Sequence, residues 1–201
     1  MAAARLGALA AALLMAAGCS AAPAVTPSGA HTHPSAHPES GPGASELAPV
    51  LLATAAAQDV AAAEALGYAS TRDTLGCFQD PDRGGMGLHY VNSALMDDKP
   101  DARHPEAFVY ELAADGGVAG LVALEYIVPI EAWHQSAPPE LFGTPYHKHA
   151  TLPLWVLHLW VWKSNLDGIF ADFNPAVRQC PAGVPIFGRD LPKPAPTTPG
   201  R

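Results

Sequence analysis

The chain has 201 residues, of which 49% are apolar, 15% charged and 7% aromatic, a composition that suits one globular domain with flexible ends and excludes a wholly disordered polypeptide. Nineteen acidic residues against eleven basic ones give a formal charge of -8, the wrong sign for gathering phosphates by counterion release, so nucleic acid is not expected as a partner. Proline and glycine occur 21 and 18 times, above the average usage of about 5% and 7%, which predicts that parts of the chain lie outside any packed core.

The first predicted element is an export signal. Arg5 precedes a run of Ala, Leu, Met and Gly from Leu6 to Gly18, the length of a secretory h-region and short of the ~18 residues a membrane span requires. It ends in Ala16, Ala17, Gly18, Cys19 and Ser20, which resembles the lipobox of bacterial lipoproteins except that Ala16 replaces the usual leucine. This resemblance implies cleavage after residue 18 and acylation of Cys19. Two or more acyl chains hold a protein stably at a bilayer, so the expected product is a lipoprotein anchored in the cell envelope, facing outside the cytoplasm.

Residues 19–53 are rich in Ala, Pro, Ser, Gly and His and read as a tether, with too few large apolar groups to offset the entropy of ordering them. His31, His33 and His37 either capture a metal ion through their imidazoles or do nothing specific. Residues 181–201 contain six prolines and read as a tail, laid over the domain near Ile186 and Phe187. The globular part is then residues 54–180, long enough to bury a core without metal staples.

Within it, Ala55 to Gly67 is predicted helical, with Val60, Ala63 and Leu66 at helical spacing, Thr54 as N-cap and Gly67 as C-cap. Strands follow. Met86 to Asn92 is short and glycine-flanked, while Ala107 to Leu112 and Leu121 to Val128 form a hairpin turned by Asp115, Gly116 and Gly117. Leu154 to Trp162 is apolar on both faces, as a central strand would be, with Val156, His158, Trp160 and Trp162 on one of them. The predicted fold is α+β: an N-terminal helix on a mainly antiparallel sheet of four or five strands, flanked by disordered tails.

With Cys19 assigned to lipid, Cys77 and Cys180 remain near the two ends of the globular part. An exported chain meets an oxidising compartment, so the two are expected to form a disulfide. Neither belongs to a C-x-x-C, which argues against a zinc knuckle.

The succession "VAAAEALGY", Cys77, "GGMGLHYVN", "PEAFVYEL", "LVALEYIVP", "PPELFGTPYH" and "LHLWVWKSNLDGIFADFNPAVRQC" resembles a family of functionally uncharacterised bacterial exported proteins and lipoproteins. The distinguishing blocks are Gly85 to Tyr90 and Leu157 to Trp162. Leu166 and Phe173 depart from the proline and tryptophan such proteins typically carry there, which bears on local turn geometry. The resemblance implies export and no particular reaction.

Chemistry must therefore come from the residues. His89 and His158 lie in predicted strands, Glu125 in a third, and His147 and His149 flank Lys148 before the last strand. Two imidazoles and a carboxylate suit zinc or copper and leave a coordination position open, with His147 or His149 as further ligands. Alternatively Glu125 pairs with histidine without a metal, which would offset the cost of burying its charge. In the third arrangement both histidines bond backbone carbonyls while Glu125 faces water. The glycines at 84, 85 and 87 precede no helix that could hold phosphate. No G-x-S-x-G is present, and Ser93 and Ser136 have no identifiable base. Tyr90, Tyr110, Tyr126 and the four tryptophans suit either a ligand pocket or the core. The expected function is a non-enzymatic envelope module that binds a small ligand or a protein partner. The alternative is a metal-binding protein or metal-dependent enzyme built on His89, Glu125 and His158.

Overall fold

The computed structural model describes residues 41–190. The export signal, Cys19, the tether histidines and residues 191–201 lie outside the described residues.

Helix α1 spans Ala44–Thr54. The Gly43 N–H donates to the Glu46 carboxylate at 3.0 Å, satisfying one of the donors that a helix start leaves unpaired. A 3-10 turn over Ala55–Gln58 leads to α2, Val60–Ala65, which Asp59 caps by accepting the Ala61 N–H at 2.9 Å. Gly67, at φ 93°, ends it as expected: Tyr68 N–H reaches back to Ala63 O at 3.1 Å, a Schellman closure. The helical region therefore begins at Ala44 and not at Ala55, eleven residues before the sequence predicted, inside the segment assigned to the tether. Val50 anchors it in the core. Thr54 does not cap a helix start, because its buried hydroxyl donates back to Val50 O at 2.9 Å.

Strand β1 is Ala69–Ser70, β2 is Cys77–Asp80, β3 is Gly84–Val91, β4 is Ala107–Leu112 and β5 is Val118–Pro129. The short β6 (Glu140–Leu141) and β7 (Thr144–Pro145) pair only with each other, and β8 (His147–Lys148) precedes β9 (Leu154–Leu159). The main sheet runs β1-β3-β4-β5-β9-β8, with β2 also on β3, and all these pairings are antiparallel. This is the predicted α+β class with seven strands rather than four or five. The additional strands have two to four residues, too short for an alternating pattern to show. The β4–β5 hairpin forms as expected, with Gly116 at φ 85° and Gly117 N–H donating to Asp115 at 3.0 Å. Strand β9 stops at Leu159, short of the predicted Trp162, because the Trp160 N–H turns to Ile169 O at 2.9 Å.

The sheet has two different faces. One carries Leu88, Tyr90, Phe108, Tyr110, Leu124, Tyr126, Leu157 and Leu159 against Val50, Ala57 and Ala63 of the helical layer. There the Tyr110 hydroxyl donates to Ala57 O at 2.6 Å, so the strand tyrosines are core rather than pocket. The other face presents Met86, Val109, Ala123 and Trp160 and is covered by Val177, Phe173 and Phe187. Residues 181–190 are laid over the domain at Ile186 and Phe187, as expected, and belong to the folded unit. Cys77 N–H donates to Pro185 O at 2.8 Å, Phe187 N–H to Cys77 O at 2.9 Å, and the Phe187 ring stacks on Phe78 at 4.2 Å. Cys77 and Cys180 are joined by the expected disulfide.

The glycine block of β3 owes its composition to packing. Cβ atoms at Gly84 and Gly85 would strike the backbone of Asn174 and Arg178, and one at Gly87 the Tyr110 carbonyl. Gly87 also has φ 123°, in the region where side chains are strained. Here β2 and β3 slip register, with Phe78 opposite Gly87 and Gln79 opposite Gly85. Met86 is the extra residue of this bulge, which places it on the same side as His89 despite their odd spacing.

Candidate functional site

Regular alternation places His89, Glu125 and His158 on the face covered by the C-terminal segment, where each is 5% exposed or less. Glu125 and His158 are direct cross-strand partners on β5 and β9. His89 pairs with Val109 of β4, and Glu125 with Ala107 of the same strand. The intervening strand therefore offers a small alanine and a valine where larger side chains would block contact. Over them His89 Nε2 comes to 3.2 Å from Glu125 Oε2, and His158 Nε2 to 3.4 Å from Glu125 Oε1.

A fourth member, Asp172, was not apparent from the sequence. The chain leaving β9 folds back on it through the Trp160 N–H to Ile169 O bond and a hydrogen bond from the Trp160 indole to Ala171 O. Asp172 Oδ1 then stands 3.4 Å from His158 Nδ1 and 3.1 Å from His147 Nε2. No spacing rule links Asp172 to His158, because a loop carries it there. A string of alternating imidazoles and carboxylates results, from half-exposed His147 through Asp172, His158 and Glu125 to buried His89.

The charges respond to this arrangement. Burial pushes the Glu125 carboxyl up, but His158 and His89 outweigh it and hold it well below the usual carboxylate range. The hydrogen bond from His147, with the contact to His158, lowers the Asp172 carboxyl, and the same bond raises the His147 imidazole. Burial lowers the His149 imidazole.

One imidazole nitrogen from each of His89 and His158 and one Glu125 oxygen all lie within 4.8 Å of one another. Bonds of about 2.0–2.1 Å around a tetrahedral ion separate neighbouring ligand atoms by about 3.3 Å; here His89 and His158 each approach a different Glu125 oxygen, at 3.2 and 3.4 Å, and the three-atom set spans up to 4.8 Å, so the side chains would draw together slightly around an ion. Both His158 nitrogens and His89 Nδ1 are buried without a directed hydrogen bond, an arrangement that costs stability unless something else uses them. Two neutral nitrogens, one anionic oxygen and a vacant fourth direction make a donor set that fits zinc or copper.

Of the two histidines proposed as further ligands, neither joins this group. His147 is engaged by Asp172. His149 Nδ1 accepts the Thr151 and Leu152 N–H groups at 3.1 and 3.0 Å.

Two cavities adjoin the cluster, sharing Phe78, Met86 and His149. One, of about 240 Å³, reaches His158, Asp172 and His147 and is rimmed by Arg83 and Lys148. The other, of about 180 Å³, has His89 and Glu125 in an otherwise almost wholly apolar wall. Among the described residues no helix is long and apolar enough to cross a membrane. No family model, curated protein or solved structure matches the chain.

Proposed function

We propose that this protein is a lipid-anchored, extracytoplasmic binding protein whose working element is a zinc or copper centre held by His89, Glu125 and His158. The observation that carries the reading is the buried carboxylate set between two imidazoles with their nitrogens otherwise unused. A buried carboxylate needs compensating positive charge, and a divalent ion supplies it while employing all three donor atoms. Asp172 Oδ1, in contact with His158 Nδ1 at 3.4 Å, is the outer partner: it favours the tautomer with the proton on Nδ1, which leaves Nε2 unprotonated for the ion. Placement outside the cytoplasm and anchoring through Cys19 are supported by the leader, the lipobox-like run and the resemblance to exported proteins. The site is read as a binding centre because two cavities adjoin the three side chains and would admit a ligand beside the ion.

Elemental analysis tests this on the full chain with His31, His33 and His37 replaced by alanine, so that metal on the tether is not counted. About one zinc or copper per chain is expected, and its loss in His158→Ala and Glu125→Gln. A well-folded chain without stoichiometric metal overturns the reading. It would instead favour a metal-free His–Glu–His cluster, whose imidazoles would show an altered NMR titration in Glu125→Gln.

A further inference from the structure

The state of His149 is decided by the backbone around it. Amide N–H groups only donate, so Nδ1, which accepts two of them, carries no proton, and in the neutral ring the proton resides on Nε2. That nitrogen is consequently a donor, not a metal ligand, and among the described residues it has no acceptor. The ring stands in the wall common to both cavities, held edge-on to Phe78 and Phe187.

Beside it lies the cavity of about 180 Å³, walled by Leu75, Met86, Met96, Ile127, Leu152 and Leu154. A cavity of about 150 Å³ lined by aliphatic and aromatic groups can hold a benzene ring. Its polar wall is limited to Thr71, His89, Glu125 and His149. A divalent ion bound by two neutral imidazoles and one carboxylate keeps one net positive charge, and His149 adds an unused N–H. A wholly apolar guest would leave both unanswered, and a cation would be repelled by both.

Resting on the metal assignment above, we propose that this cleft binds a small carboxylate with an apolar body about the size of one aromatic ring. The carboxylate completes the coordination of the ion and accepts the His149 Nε2–H bond, while the body fills the apolar cavity. Burial of the body adds affinity that the head group alone cannot provide.

The test uses the full-length chain lacking the tether histidines, loaded with cobalt(II) so that coordination is visible in the absorption spectrum, with benzoate as probe and acetate as the head group alone. Benzoate should change the spectrum saturably and bind at least tenfold more tightly than acetate. Met96→Trp, which fills the cavity, should abolish that advantage while acetate still binds. His149→Asn, whose Oδ1 can stand in for Nδ1 as acceptor of the Thr151 and Leu152 N–H groups while nothing replaces Nε2–H, should weaken both roughly tenfold. Cobalt uptake with a spectrum that benzoate leaves unchanged, or equal affinity for benzoate and acetate, overturns this proposal alone. A folded chain that takes up no cobalt overturns the metal assignment and this proposal with it.

Discussion

Two glutamates, Glu125 on β5 and Glu106 in the bend just ahead of β4, are driven in opposite directions by what surrounds them. Glu125, set between imidazoles, is held in its anionic form. Glu106 is 2% exposed and forms no ion pair among the described residues. Burial, reinforced by the charges of Asp97 and Glu125, pushes its carboxyl up to about 8 against the accepted Ile127 N–H. Below about pH 4.5, its ordinary value, folded and unfolded chains both hold the proton. Between there and about pH 8 only the folded chain does, so this group costs about 1.4 kcal/mol of stability for each unit of rising pH. Above that window both states have released it and the loss stops growing. Glu106→Gln keeps an oxygen for Ile127 N–H and removes the titration. Its urea midpoint relative to the parent chain should rise steadily from pH 5 to pH 8, the site histidines contributing alike to both proteins. Parallel profiles would show that Glu106 ionises normally.

At the scale of elements, the loop from Trp160 to Asn174 does for His158 what no strand can. It delivers Asp172 to the ring nitrogen facing away from Glu125, and an outer carboxylate of this kind fixes both tautomer and orientation of a ligand histidine. Asp172→Asn should therefore weaken zinc roughly 10- to 100-fold in a chelator-competition titration. Because the side chain is one-third exposed, the melting temperature of the metal-free protein should scarcely move. A matched fall in both would assign Asp172 a structural role instead. The loop also marks the limit of what was legible in the sequence. The three inner residues could be found because imidazole and carboxylate stood at alternating positions in recognisable strands. The turn at Asp115 to Gly117 and the cap at Gly67 were legible because each demands a left-handed backbone. Asp172 and the His149 tautomer depend on where irregular backbone happens to pass. Met86 escaped because a bulge at Gly87 breaks the two-residue period. Helix α1 was hidden by its surroundings: Gly43 and Pro49 sit in alanine-rich sequence that resembles tether, and of its large apolar side chains Val50 is buried in the core and Leu47 packs partly against it.

For the molecule as a whole, the face that bears the site is closed by a covalently pinned segment and not by regular structure. The helical layer covers the opposite side, while Phe173, Val177 and Phe187 form the lid over Met86 and Trp160. The Cys77–Cys180 link spans 103 residues, a loop whose closure removes about 4 to 5 kcal/mol of unfolded-chain entropy. Domains of this kind commonly hold only about 5–15 kcal/mol in total, so reduction should leave the chain marginal. Gln79 receives the Cys180 N–H at 2.7 Å and Cys77 pairs through backbone with Pro185 and Phe187, so the strap is also held by bonds that survive reduction. The Cys77→Ala, Cys180→Ala double variant should accordingly fold at low temperature, unfold at a far lower urea concentration than the oxidised parent, and match the parent once reductant is present. Limited proteolysis should cut the variant first between residues 181 and 190, where the strap is tethered by few contacts. Equal urea midpoints for oxidised parent and variant would mean that noncovalent packing alone holds the lid, and that the oxidising surroundings inferred from the leader contribute nothing to the stability of this fold.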